Sequence, residues 1–479
     1  MRRSIIGSLV VLSLATTVAC GGSSSGGGTD GDLSDTNSIT GTVFAPNGTD
    51  PIAGATVYLP SSSSSSLSTP AMVAKTVTVT CSGTSVSCSD PSAAAAVSTC
   101  SCADGTFSLD VSSLTSGTTL VIEKGATSKT VSLSCTETTC ALGASDTTFS
   151  SSGTGALTMA VVTGAYDEIQ DVLAKLGYGT LDSATNRLDI GTEQFAIYRG
   201  GGSDDSALAS ISETTYPEAS ALFGTLATMQ QYDIIFINCG ADESVSGLSN
   251  ISVPNSKGLS HAEYHAYHKA FAGSKSVNTT AVTNIQSYVN GGGKIYVTDL
   301  AYDFIEQAFP EVMDFQDGGD DDSTTAETAD AAQDGTSGIV SDATVNDTEM
   351  RTWLSGRATN TIDSSTSPNS GTCTTTTGGS ATALNSDNTI RIGDFLPGWA
   401  VMDEAYDTST TVWLQGPVDF SSDAGPVLDE VRPLTVSRTI GSNSGKVLYS
   451  SYHTAHSCPT AGFWPQERVL QYLVFEVAE

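Results

Sequence analysis

Between residues 281 and 310 the chain reads AVTNIQSYVNGGGKIYVTDLAYDFIEQAFP, and the period of its apolar positions changes twice. Val282, Ile285, Tyr288 and Val289 fall on one helical face, which Gly291, Gly292 and Gly293 end. Ile295, Tyr296 and Val297 form a short buried run, and Ala301, Ile305, Ala308 and Phe309 define a second helix that Pro310 closes. Helix, glycine turn, strand, tight turn and helix make the central unit of an α/β sheet. Working groups in such sheets sit just past the carboxyl ends of the strands, so the turn at Asp299 and Leu300 is where chemistry is expected.

Upstream, the period is two. Residues 38–60, SITGTVFAPNGTDPIAGATVYLP, read as two strands around a turn of Pro46, Asn47, Gly48 and Asp50, and DGTFSLDV, TTLVIEKG and KTVSLSC add three more. That is the pattern of a small all-β sandwich. Past a Ser/Gly/Thr linker at 147–155, strands alternate with helices: strand 157–162, helix 166–176, strand 195–198, helix 216–229 and strand 232–238 precede the unit above. Residues 410–414 and 434–438 read as further strands that need not be parallel. GKVLYSSYH is a last core strand, and QERVLQYLVFEV a C-terminal helix. The stretch near 317–388, rich in Asp, Ser, Thr and Gly, reads as an acidic insertion. The domains expected are a sandwich at 38–146 and an α/β domain at 156–479.

The remaining thirty-seven residues change the picture of location. Arg2 and Arg3 precede an apolar run from Ile5 to about Leu14 and then Thr17, Val18, Ala19 and Cys20, an export signal over residues 1–19 too short for a spanning helix. A Gly/Ser-rich tether follows at 20–37. Composition agrees with export. Nineteen Lys plus Arg against fifty-two Asp plus Glu give a net charge of -33, which repels nucleic acid and anionic lipid headgroups. Ten cysteines suit an oxidising compartment. Six of them, Cys81, Cys88, Cys100, Cys102, Cys135 and Cys140, allow fifteen disulfide pairings, and their spacing is not that of paired zinc knuckles. Cys373 and Cys458 are further disulfide candidates, and with Cys239 they leave an odd number in the second half.

Three resemblances sharpen these readings. Ala19-Cys20 resembles a bacterial lipoprotein signal, which implies acylation of Cys20 and a membrane partner reached through a lipid anchor; Gly21 after it implies the outer membrane or cell surface, the alternative being simple secretion. Gly41, Val43, Pro51, Ile52, Gly54, Ala55, Val57, Tyr58, Asp104, Gly105 and Phe107 resemble the carboxypeptidase regulatory-like, or transthyretin-like, domain, a fold that implies no catalysis. VTDLAYDFIE, the stretch with Asp403, Glu404 and Tyr406, and GKVLYSSYH resemble the class I glutamine-amidotransferase-like superfamily, in its trehalose-utilisation-type branch. That implies a flavodoxin-like, three-layer α/β domain with a mostly parallel sheet. Working amidotransferases hold a nucleophilic Cys at the strand–helix turn; here Asp299 and Leu300 stand there, Cys239 belongs to the preceding strand end, and His453 is followed two residues later by Ala455 rather than Glu. Glutaminase chemistry is not expected.

All five histidines lie in two clusters, His261, His265 and His268 in HAEYHAYH and His453 and His456 in YHTAH. The first three share a helical face compatible with a divalent metal, although Ala262 stands where a metalloprotease has its Glu. Asp317, Asp320, Asp321 and Asp322 offer hard oxygens to calcium, though not at EF-hand spacing. Asp299, Asp303 and Glu306 recur at the turn, as acid/base groups or as a helix cap with carboxylates lying along its surface. Two readings follow. One is a non-catalytic envelope lipoprotein, binding an unknown envelope protein or glycan and no nucleic acid. The other is a metal-assisted extracellular hydrolase of a glycan or small molecule, with the histidines as ligands and Asp299, Glu404 or His453 as catalytic groups.

Overall fold

The alternation of apolar runs and glycine turns after residue 155 builds one nine-stranded sheet. A computed structural model describes residues 37–61, 76–82, 84–91, 95–135, 138–200, 216–250, 276–316, 332–362, 381–403, 408–422, 424–455 and 458–477, with isolated positions from 260 to 270. The strands are β1 (Met159–Val162), β2 (Ala196–Tyr198), β3 (Ile234–Ile237), β4 (Lys294–Thr298), β5 (Ser341–Val345), β6 (Thr389–Ile392), β7 (Thr410–Ser422), β8 (Gly425–Ile440) and β9 (Gly445–Ser450). Their order is β2-β1-β3-β4-β9-β8-β7-β5-β6. The first five in that order run parallel, and from β9 onward every pairing is antiparallel.

This corrects the expected fold. The chain is mostly β, 37% strand against 20% helix, and a mixed sheet replaces the helix-rich, flavodoxin-like three-layer domain with a mostly parallel sheet. Two causes are visible. The segments read as strands at 410–414 and 434–438 are parts of one long hairpin, β7 and β8, and β5 lies inside the stretch read as an insertion. Several expected helices also shrink: 216–229 becomes Ala219–Phe223 and Leu226–Met229, and 166–176 becomes Ile169–Leu173 running into a π turn at Ala174–Tyr178.

The central unit holds. Helix α1 (Thr279–Asn290) is capped by Asn278, whose side chain accepts from the Thr280 N–H, and its Ile285 and Val289 pack in one apolar cluster with Ile295 and Val297 of β4. Tyr296, pointing the other way, joins a second cluster with Leu470, Leu473 and Val474 of the C-terminal helix (Pro465–Val477). Between α1 and β4 the chain needs its glycines: Gly292 takes φ +104, and a Cβ on Gly293 would collide with the Tyr288 ring.

Before this sheet, Thr106–Val111, Asn37–Thr42 and Thr139–Ala141 form a three-stranded sheet. Ala95–Cys100, Thr56–Pro60, Thr119–Lys124 and Thr127–Ser132 form a four-stranded one, beside a hairpin of Thr76–Cys81 and Thr84–Ser89. Their side chains Ile39, Val57, Phe107 and Ile122 belong to the same apolar cluster as Leu470. Polar contacts tie the parts further. Arg468 of the C-terminal helix reaches Asp50 at 2.7 Å, Lys124 meets Glu476 at 2.5 Å, and the Trp353 indole donates to the Pro51 carbonyl at 3.0 Å. Residues Thr36–Glu479 therefore form one compact unit. Disulfides link Cys81 to Cys102, Cys88 to Cys100 and Cys135 to Cys140, and Cys458 is disulfide-bonded as well. Such bonds belong to an extracellular, oxidising setting. Among the described residues no helix is long and apolar enough to cross a membrane.

Candidate functional site

Strands β3, β4 and β9 are neighbours in the sheet, and each delivers one reactive group just beyond its carboxyl end: Cys239, Asp299 and His453. Asp299 follows the wholly buried β4 directly and takes φ +44, a left-handed conformation that Asp tolerates better than most residues. The chain then turns through Asp299–Ala301 into a single helical turn, α2 (Asp303–Glu306), shorter than the second helix expected. Its acids read either as acid/base groups or as carboxylates along a helix surface, and the second reading fails. Both are buried instead, Asp303 at 1% and Glu306 at 3% exposure.

The Asp299 carboxylate is engaged on both oxygens. Oδ1 accepts the Ala400 N–H at 2.8 Å, while Oδ2 lies 3.3 Å from His453 Nε2 and accepts from the Cys239 thiol at 3.6 Å. Thr298 Oγ1 accepts the Cys239 N–H at 2.9 Å, and the Tyr449 hydroxyl donates to the Asp299 carbonyl at 3.1 Å. Cys239, Asp299 and His453 are at most 1% exposed. Burial and the neighbouring Asp299 charge push the Cys239 thiol well above its ordinary value, so it keeps its proton. Burial alone would pull His453 down, but its contact with Asp299 and the fields of Asp167, Asp299 and Asp394 outweigh that and raise it.

The loop that carries His453 is held by a residue that sequence reasoning missed. Asp167, just beyond β1, accepts the Thr454 and Ala455 N–H groups at 2.9 Å each, and also the Glu168 N–H at 2.9 Å. Burial raises its carboxyl, against the pull of His453 and of these bonds. Asp394, at φ +59, takes the Gln466 amide at 2.9 Å and offers its carbonyl to the His453 N–H at 3.4 Å. Position was the available signal for Asp167 and Cys239, since both follow the end of an apolar run, whereas nothing local marks Asp394.

Of the residues singled out from the sequence, Asp299 and His453 meet. Glu404, His261, His265, His268, His456, Asp317, Asp320, Asp321, Asp322, Cys373 and Cys20 lie outside the described residues. The atoms of Cys239, Asp299 and His453 that could ligate a metal lie within 4.8 Å of one another. Thiol, carboxylate and imidazole together suit a borderline-soft cation rather than calcium or magnesium.

No protein-family model matches this chain, and no curated protein sequence does. Among solved structures it is similar to one described as the "mmIFT52 N-terminal domain", with 10% identity over 42% of this chain and 71% of that one, at a TM-score of 0.20. A likeness that low carries no argument about fold or activity.

Proposed function

We propose that this protein is a non-catalytic cell-envelope lipoprotein, anchored through Cys20, whose C-terminal region is a degenerate relative of the amidotransferase-like proteins and binds a ligand or partner of the envelope. One observation carries the reading. At the turn where a nucleophile would stand there is a buried carboxylate with both oxygens occupied, and the nearest thiol is buried and holds its proton. The disulfides support an extracellular location, and the short apolar run before Cys20 supports the anchor. Glutamine hydrolysis tests the loss of activity: ammonia release should equal that of heat-denatured protein, and release above it that a Cys239→Ser substitution abolishes would refute the proposal. The anchor is tested by Cys20→Ala, which should move the protein from the membrane to the soluble fraction; full retention on membranes would remove the anchor.

A second reading, a metal-assisted hydrolase of an extracellular glycan or small molecule, draws on the meeting of Asp299 and His453 with Cys239. In that geometry Asp299 stands among the metal donors rather than as a free base.

A further inference from the structure

Two of the separations within the cluster are those of a ligand set. A charge-assisted bond between imidazolium and carboxylate closes to about 2.7–2.9 Å, yet His453 Nε2 stands 3.3 Å from Asp299 Oδ2 in a site that excludes water from both side chains. The Cys239 sulfur stands 3.6 Å from the same oxygen. Bonds from zinc of about 2.0–2.1 Å to nitrogen and oxygen and about 2.3 Å to sulfur, at tetrahedral angles, place nitrogen and oxygen about 3.3 Å apart and sulfur and oxygen about 3.5 Å apart. Both observed separations match those edges.

We propose that Cys239 Sγ, Asp299 Oδ2 and His453 Nε2 bind a zinc-like divalent cation that staples the carboxyl ends of β3, β4 and β9. The charges balance. Binding releases the thiol proton and any proton on Nε2, and the resulting thiolate and carboxylate neutralise the dication inside a dry site. A thiolate and an imidazole exclude the hard cations that all-oxygen sites take. The surroundings also suit ligands that must not swing: Asp299 Oδ1 is fixed by the Ala400 N–H, and the Leu300 N–H donates to the Cys239 sulfur. Three protein donors leave one tetrahedral position for a further donor. The three ligand side chains are at most 1% exposed, so the cation is shut away from bulk solvent, and this inference stands independently of whether the protein binds an envelope ligand.

Protein purified without a polyhistidine tag and dialysed against zinc should retain about one equivalent by elemental analysis, the stoichiometry of a single closed site. Cobalt substitution should give a near-ultraviolet thiolate-to-metal band that Cys239→Ser removes, with far-ultraviolet circular dichroism of the variant confirming that it is folded. Should Cys239→Ser fail to fold, His453→Gln is read in its place and should lose the bound equivalent. Less than about 0.1 equivalent in the zinc-loaded wild type would overturn the proposal. So would an undiminished equivalent in the folded variant, which would put the metal on other groups such as the remaining histidines, and so would a cobalt complex without the thiolate band.

Discussion

Single residues decide how the carboxyl edge is built, and the acids there are unusual in being buried. Glu168 is 17% exposed at its side chain and pairs with Arg187 at 3.0 Å, yet burial pushes its carboxyl up to about 7, with Arg187 opposing and Asp171 and Asp167 adding to the rise. A carboxyl whose folded value lies above its unfolded one makes the folded protein hold protons more tightly. No stability is lost below about pH 4.5, where both states are protonated, and the loss grows as pH rises towards about 7. Glu168→Gln removes that dependence. Relative to wild type, the variant should gain about 2 kcal/mol between pH 5 and pH 8, read by urea denaturation at both values; a difference that does not change with pH would contradict the assignment. The residues of the candidate site were partly legible from the chain. Asp299 and His453 follow apolar runs that could only be strands, so the rule about carboxyl ends finds them. Asp167 and Asp394 act through backbone contacts to a loop almost three hundred and some sixty residues away, respectively, and no local pattern carries that information.

At the level of elements, strands buried on both faces announced themselves and the others did not. IIFI in β3 and KIYVT in β4 are buried at every position, whereas SDATV in β5 alternates buried and exposed with Ser, Ala and Val inward, too weak an apolar signal to stand out from its Asp- and Thr-rich surroundings. The hairpin of β7 and β8 was masked by Pro417, Pro426 and Pro433 and by register shifts after Val412, Leu414 and Val418, each of which breaks the period of two. Helix lengths were overestimated where a non-helical turn intervenes, as at Thr225, whose φ of -143 and ψ of 129 separate Ala219–Phe223 from Leu226–Met229. The contact of α1 with β9 gives a direct check on this packing. A Cβ on Gly445 would overlap the Val289 carbonyl oxygen at the end of α1, and backbone cannot swing aside as a side chain can. Gly445→Ala should therefore cost about 3 kcal/mol or more in chemical denaturation; a loss under about 0.5 kcal/mol, the size of an ordinary surface substitution, would show that the two elements do not meet so closely.

For the whole molecule, the sequence made export and acidity plain, but not how the two halves share a core. The sequence places Asp50 in a turn between two strands; in the structure that turn is where Arg468 and Trp353 dock, so its polarity serves an internal joint. Cysteine spacing left fifteen pairings open because the bonds depend on which strands lie side by side, and Cys88–Cys100 and Cys81–Cys102 both close near the hairpin of Thr76–Cys81 and Thr84–Ser89. A net charge of -33 fits a protein exposed to solvent outside the cell. The cluster at the carboxyl edge is closed to nucleophilic chemistry in the proposed function. Alkylation of Cys239 by iodoacetamide in the native protein at about pH 8, near the ordinary thiol value and followed by peptide mass spectrometry, tests it most directly. Labelling is expected only after denaturation and removal of metal; rapid labelling of the folded protein would show that Cys239 is open to reaction.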